Sequence, residues 1–167
     1  KRVLKVRTNA DTPKDAKNAV NFGAEGIGLT RTEHMFFEPN RILKFRTMIL
    51  CDSEEERIAA LEAIKPFQKE DFVGIYEAMG ERPVTIRLLD PPLHEFVPQP
   101  ENKKEELAEE LHISVGEIEK RGESLHEVNP MMGLRGVRLH VAYPLIAETQ
   151  YRAIFTAVAE LQKEGYH

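Results

Sequence analysis

A chain of 167 residues, 41% hydrophobic and 31% charged, has the size of one ordinary domain or part of a larger one and is long enough to bury about two thirds of its unfolded surface. No apolar run approaches the roughly eighteen residues of a membrane span, and the composition excludes a collagen-like repeat and wholesale disorder. The net charge of −5 sits between Glu101 and Glu127, where nine acidic residues meet four basic ones and leave 19 of each sign elsewhere, so no broad basic surface for nucleic acid is expected.

Lys1 to Arg7 alternates loosely and reads as a first strand, closed by the turn residues Asn9-Ala10-Asp11-Thr12-Pro13. A helix follows: Thr12 caps it, Pro13 fits its first position, and Asp15 completes a Thr-x-x-Asp box. Ala16, Ala19, Val20 and Phe22 supply its buried stripe, and Gly23 ends it. Gly26-Ile27-Gly28-Leu29-Thr30 reads as a second strand whose small residues permit close backbone packing. Residues 40–80 are helical in pattern, with Ser53-x-x-Glu56 as a second capping box and Pro66 as an interruption. The near-continuous apolar stretch Val84–Leu89 predicts a third strand covered on both faces.

Four prolines in residues 91–100 forbid regular structure there. Lys103–Leu111 and Ser114–Leu125 read as two polar, mostly exposed helices of an acidic insert spanning about 101–127. Gly133-Leu134-Arg135-Gly136-Val137 reads as a short fourth strand, and a last helix runs from Ile146 to Lys163, with Ile146, Ile154, Phe155, Val158 and Leu161 facing inward and Gly165 as its stop. The alternation of strand and helix predicts a parallel α/β architecture of four βα units.

Three arginines then stand at corresponding places: Arg31 after the second strand, Arg87 late in the third, Arg135 in the fourth. Ligands of βα barrels sit at the carboxyl ends of the strands, and convergent guanidinium forks there suit an anionic ligand bearing phosphate or carboxylate. The structural alternative pairs each arginine with an acid such as Glu33, Asp90 or Glu95. Gly23, Gly26 and Gly28 run from helix to strand, the reverse of a phosphate loop, and are read as structural. His34, His94 and His126 have no zinc spacing. Cys51, the single cysteine, can form neither an internal disulfide nor a cysteine-rich zinc site and reads as small and buried. With no charged-then-apolar leader, a cytoplasmic or organellar interior is expected, with no membrane partner.

The segments Gly23–Phe37, Val84–Phe96 and Asn129–Arg138 resemble the phosphoenolpyruvate/pyruvate-binding domain of the pyruvate phosphate dikinase family. Phosphoenolpyruvate synthases and the first enzyme of the sugar phosphotransferase system share the Arg-Thr-Glu theme, but Asp-Pro-Pro-Leu-His-Glu-Phe from Asp90 and the acidic insert favour the dikinases. The resemblance implies a (β/α)₈ TIM barrel, of which these four units are the N-terminal half, carrying a phosphoryl group between a phosphohistidine on a separate domain and pyruvate. It assigns Arg31, Arg87 and Arg135 to the phosphoryl and carboxylate oxygens, with Asp90 and Asn129 as supporting residues. The family's magnesium ligands and proton-donating cysteine are expected beyond residue 167, so this chain alone is expected to bind no Mg2+ and to be catalytically inert. A half barrel leaves its first and fourth strands with open edges, which predicts pairing with another copy or another chain, the remaining barrel half among them. The competing reading is a non-catalytic assembly module whose charged helical insert contacts a partner.

Overall fold

Both hydroxyl caps form. The Thr12 hydroxyl accepts the Asp15 N–H at 3.1 Å, and the Ser53 hydroxyl accepts the Glu56 N–H at 3.1 Å; each satisfies a donor that a helix start leaves without an internal partner. The computed structural model describes residues 3–126 and 128–166. Along them run β1 (Thr8–Asn9), α1 (Pro13–Asn21), β2 (Ile27–Arg31), a 3₁₀ turn (Thr32–Phe36), α2 (Pro39–Leu50), α3 (Glu54–Met79), β3 (Val84–Arg87), a second 3₁₀ turn (Leu93–Phe96), α4 (Glu101–Leu111), α5 (Val115–Ser124), α6 (Gly136–Ala142) and α7 (Pro144–Lys163). None of the described helices is long and apolar enough to cross a membrane.

The chain divides into two compact units. The first comprises residues 3–37, 65–89 and 147–166, the second residues 38–64, 90–126 and 128–146. The first holds a parallel sheet in the order β1-β2-β3, as the alternation of elements predicts. Its core gathers Ala16 from α1, Ile27 from β2, Met35, the α3 residues Phe72, Ile75 and Met79, and Ala153 and Ala157 from α7. Each large buried side chain contributes about 1.5–3 kcal/mol relative to exposure, and the alanines keep α1 and α7 slim where they enter this core. Burial also pushes the Tyr76 hydroxyl pKa up to about 12.

The second unit is helical. Here α2, α4 and α5 pack together, with Phe45, Met48, Leu107 and Ile118 buried, and the Phe45 and Phe96 rings meet edge to face at 4.6 Å. The insert is thus polar outside but seated on an apolar stripe. Polar ties reinforce it: Arg46 Nε donates to the Phe96 carbonyl at 2.8 Å, and Arg121 on α5 pairs with Asp52. Glu127, the end of the expected insert, lies outside the described residues.

Several expectations are corrected. The first strand is shorter and later than read: Val3, Leu4 and Val6 are exposed, and ladder pairing with β2 begins only at Thr8, whose N–H donates to the Gly26 carbonyl at 3.0 Å. Lys1 and Arg2 lie outside the described residues. The fourth strand is absent: Gly136 takes φ +53°, which turns the chain out of an extended path, and Val137–Ala142 coil into α6. The described residues therefore hold three strands, not four βα units, and the sheet edges fall at β1 and β3. β3 is partly, not fully, covered. Pro66 interrupts nothing; α3 continues through it, and the lost hydrogen bond is to the carbonyl of the exposed residue Glu62. Leu93–Phe96 forms a 3₁₀ turn within the proline-rich stretch. Ile146 and Leu161 are buried as expected, but Phe22 and Phe155 are 93% and 66% exposed; the buried positions nearest them on α1 and α7 are Ala16, Ala153 and Ala157.

Close approach explains one glycine. A Cβ on Gly26 would stand 2.9 Å from the Pro83 backbone oxygen, and backbone cannot move aside as a flexible side chain can. Gly26→Ala is expected to destabilise the protein by about 1–3 kcal/mol, read as a lowered urea midpoint.

Candidate functional site

The carboxyl ends of β2 and β3 lie side by side in the first unit. Ile27 pairs with Val84 and, after a one-residue register shift between Ile27 and Thr30, Arg31 pairs with Arg87. Two of the three predicted arginines are therefore register neighbours on adjacent parallel strands, at the sheet end where βα folds bind ligands.

Arg31 is held from the loop after β1. Asp11 Oδ1 accepts the Arg31 backbone N–H at 2.7 Å, while Oδ2 accepts the His34 Nδ1–H at 2.7 Å and stands 3.7 Å from the Arg31 guanidinium. A carboxylate only accepts, so the proton between Asp11 and His34 belongs to the imidazole. Asp11 is largely buried, its side chain 15% exposed. The sequence marks Asp11 only as a turn residue, since its partners are 20 and 23 positions away.

Arg87 forms an ion pair with Glu33, whose side chain is almost fully buried. Next to Glu33, the buried Thr32 hydroxyl accepts the Gln150 amide N–H at 2.9 Å, and Gln150 Oε1 accepts the Leu89 N–H at 2.9 Å. Gln150 thus ties the Thr32 hydroxyl, just past Arg31, to the backbone at Leu89, just past Arg87. Sequence reading missed it too, because a glutamine on a helix has no signature until its distant partners are known.

Arg135 belongs to the second unit, where it stands at the N-cap of α6. Its guanidinium donates to Asp90 Oδ2 at 2.8 Å, and the Gly136 N–H donates to the Asp90 carbonyl at 3.2 Å. Asn129 Oδ1 accepts the Met131 N–H at 3.0 Å, an Asx turn that shapes the loop before α6. Arg87 with Glu33 and Arg135 with Asp90 are the pairs that a structural role predicts, so each arginine comes with its own counter-charge.

The remaining candidates, His94, His126 and Cys51, belong to the second unit. His94 and His126 face each other with ring centroids 5.3 Å apart, in a cavity of about 570 Å³ lined also by Lys104, Glu119 and Glu123. Cys51 is buried after α2, its thiol donating to the Met48 carbonyl at 3.1 Å, and burial raises its pKa. Among the described residues, no three His, Cys, Asp or Glu gather to hold a metal ion, so these residues do not fit a magnesium centre.

His140 on α6 has its pKa lowered by burial, which the Asp90 charge partly opposes. A buried neutral imidazole takes up its proton less readily than an unfolded one, so between the ordinary histidine value and the lowered folded value the unfolded state binds more protons. Stability is therefore expected to fall as pH drops below about 6.5. Urea titrations at successive pH values should show that decline, and His140→Gln should flatten it.

Residues 1–164 match the family described as PEP-utilising enzyme, PEP-binding domain. The chain is 57% identical to a pyruvate, phosphate dikinase of Clostridium symbiosum over 163 residues and to one of Giardia intestinalis over 164, covering 98% of this chain and 19% of each relative. It is 54% identical over 166 residues to the chloroplastic pyruvate, phosphate dikinase 1 of Arabidopsis thaliana, covering 98% of this chain and 17% of that protein. The chain spans about a fifth of the length of these relatives. With nearly every residue matched, it belongs to the PEP-binding domain family of the PEP-utilising enzymes.

Proposed function

We propose that the chain is part of a pyruvate phosphate dikinase and supplies arginines to its phosphoenolpyruvate/pyruvate site. The observation that carries this reading is the register of Arg31 beside Arg87 at the carboxyl ends of two parallel strands. In this reading the chain is a piece of a TIM barrel, its N-terminal part, working with a phosphohistidine domain and the rest of the barrel in the cytoplasm or an organelle matrix. The whole enzyme interconverts ATP, pyruvate and phosphate with AMP, phosphoenolpyruvate and diphosphate, and its magnesium is held by residues other than those described here.

The chemistry assigned to this chain is electrostatic. A phosphoryl group in flight spreads negative charge over its equatorial oxygens, and fixed guanidinium donors stabilise that charge without reorganising. Arg31 and Arg87 are suited to this by their shared strand end, and Glu33 and Asp11 hold them in place before a ligand arrives. Arg135 is assigned the same role by family resemblance alone, with Asp90 as its support and Asn129 shaping the preceding loop. The chain by itself catalyses no turnover in this reading, because it brings charge stabilisation but neither phosphohistidine nor proton donor.

Calorimetric titration of phosphoenolpyruvate into the chain tests the assignment. Each charge-assisted contact is worth about 1.5–3 kcal/mol, so Arg87→Ala is expected to weaken binding at least about tenfold. Absence of binding by the unaltered chain favours a non-catalytic assembly module. A coupled assay with ATP, phosphate, pyruvate and Mg2+ is expected to show no phosphoenolpyruvate formed by the chain alone.

A further inference from the structure

We propose that Asp11 is a positioning residue of the anion site, fixing Arg31 and orienting His34 beside it; the inference rests on the reading of Arg31 as a ligand-binding arginine. β1 ends at Asn9, and the Ala10 N–H still donates to the Leu29 carbonyl at 3.2 Å, but the Arg31 N–H is met by a side chain. Asp11 Oδ1 accepts that N–H at 2.7 Å, so a side chain continues the ladder where the backbone has turned away. The same carboxylate reaches the Arg31 guanidinium and the His34 imidazole through Oδ2. One largely buried group therefore sets a backbone, a guanidinium and an imidazole together.

The consequence for His34 is chemical. With Nδ1–H donated to Asp11, the other ring nitrogen, Nε2, is the one left for a ligand or water, and the ring cannot flip without breaking a 2.7 Å bond. His34 is 44% exposed at the side chain and its ring leans on Phe37 at 5.7 Å, so it is braced on one side and open on the other. A carboxylate that orients an imidazole beside an arginine makes a pre-set pair of donors for phosphate oxygens once the imidazole is protonated.

The test uses Asp11→Asn, which keeps an oxygen for the Arg31 N–H and removes the charge. Phosphoenolpyruvate binding is measured for the unaltered chain, Asp11→Asn, Arg31→Lys and the double variant, with urea midpoints alongside. The expected result is binding by the unaltered chain, about tenfold weaker in Asp11→Asn, with the double variant losing less than the two single losses combined. Unchanged affinity in Asp11→Asn, or losses that simply add, overturns the positioning role while leaving the arginine site standing. Absence of phosphoenolpyruvate binding by the unaltered chain instead overturns the parent reading and this one with it. A second measurement needs no variant: nitrogen NMR of the unaltered chain should show neutral His34 as the Nδ1–H tautomer, and the Nε2–H tautomer would end the proposal.

Discussion

The Ile27 N–H donates to the Pro83 carbonyl at 2.8 Å, and the geometry of the arginines depends on that contact. It starts the β2–β3 pairing, whose register shifts by one residue between Ile27 and Thr30. The bond is possible because Gly26 presents no side chain to Pro83; a Cβ there would meet the Pro83 oxygen at 2.9 Å. Ile27 lies four residues before Arg31 but Val84 only three before Arg87, so the start of the pairing and the irregularity that follows it together decide what stands opposite Arg31. Without that irregularity Arg31 would stand beside Leu88 instead of Arg87. A small residue at the start of the strand and the irregularity after it thus decide which charges meet at its end.

The two units are built by different means. In the first, a short sheet is backed by large side chains from α3, and α7 contributes alanines together with Gln150, a buried amide satisfied at both ends. Full satisfaction makes that amide acceptable in a buried place, since an unpaired polar group there costs about 1–3 kcal/mol. The second unit relies on packing among α2, α4 and α5 and on arginines that reach backbone carbonyls, Arg46 to Phe96 and Arg121 to Leu50. Burial lowers the Arg46 pKa, opposed by the Glu106 charge, a sign that this arginine is partly withdrawn from water to serve as a tie.

Local signals were readable, and long-range ones were not. Thr12, Ser53 and Ser114 announce helix starts because a hydroxyl three residues before a donor acts within one turn. The parallel β2–β3 pair was legible from the order of elements. Gly133–Val137 misled, because a short stretch with Leu134 and Val137 imitates a strand; in the folded chain Gly136 takes φ +53° and Val137 is exposed on a short helix. Phe22 and Phe155 misled for a related reason: periodicity ranks residues by apolarity, whereas packing here favours alanine. At the candidate site, the arginines could be named from their positions. Asp11 and Gln150 could not, since their roles are defined by partners 20 to 118 residues away.

Glu33 has a consequence for how an anion would first meet Arg87. A guanidinium with a buried carboxylate against it presents to distant solvent a dipole rather than a lone positive charge, and the field of a dipole fades faster with distance. Arg31 beside Asp11 is attenuated in the same way. These groups are therefore poor beacons but stiff receptors: they do little to draw an anion in from afar and act through short-range fit, once the ligand has shed water and, at Arg87, meets a guanidinium already engaged by Glu33.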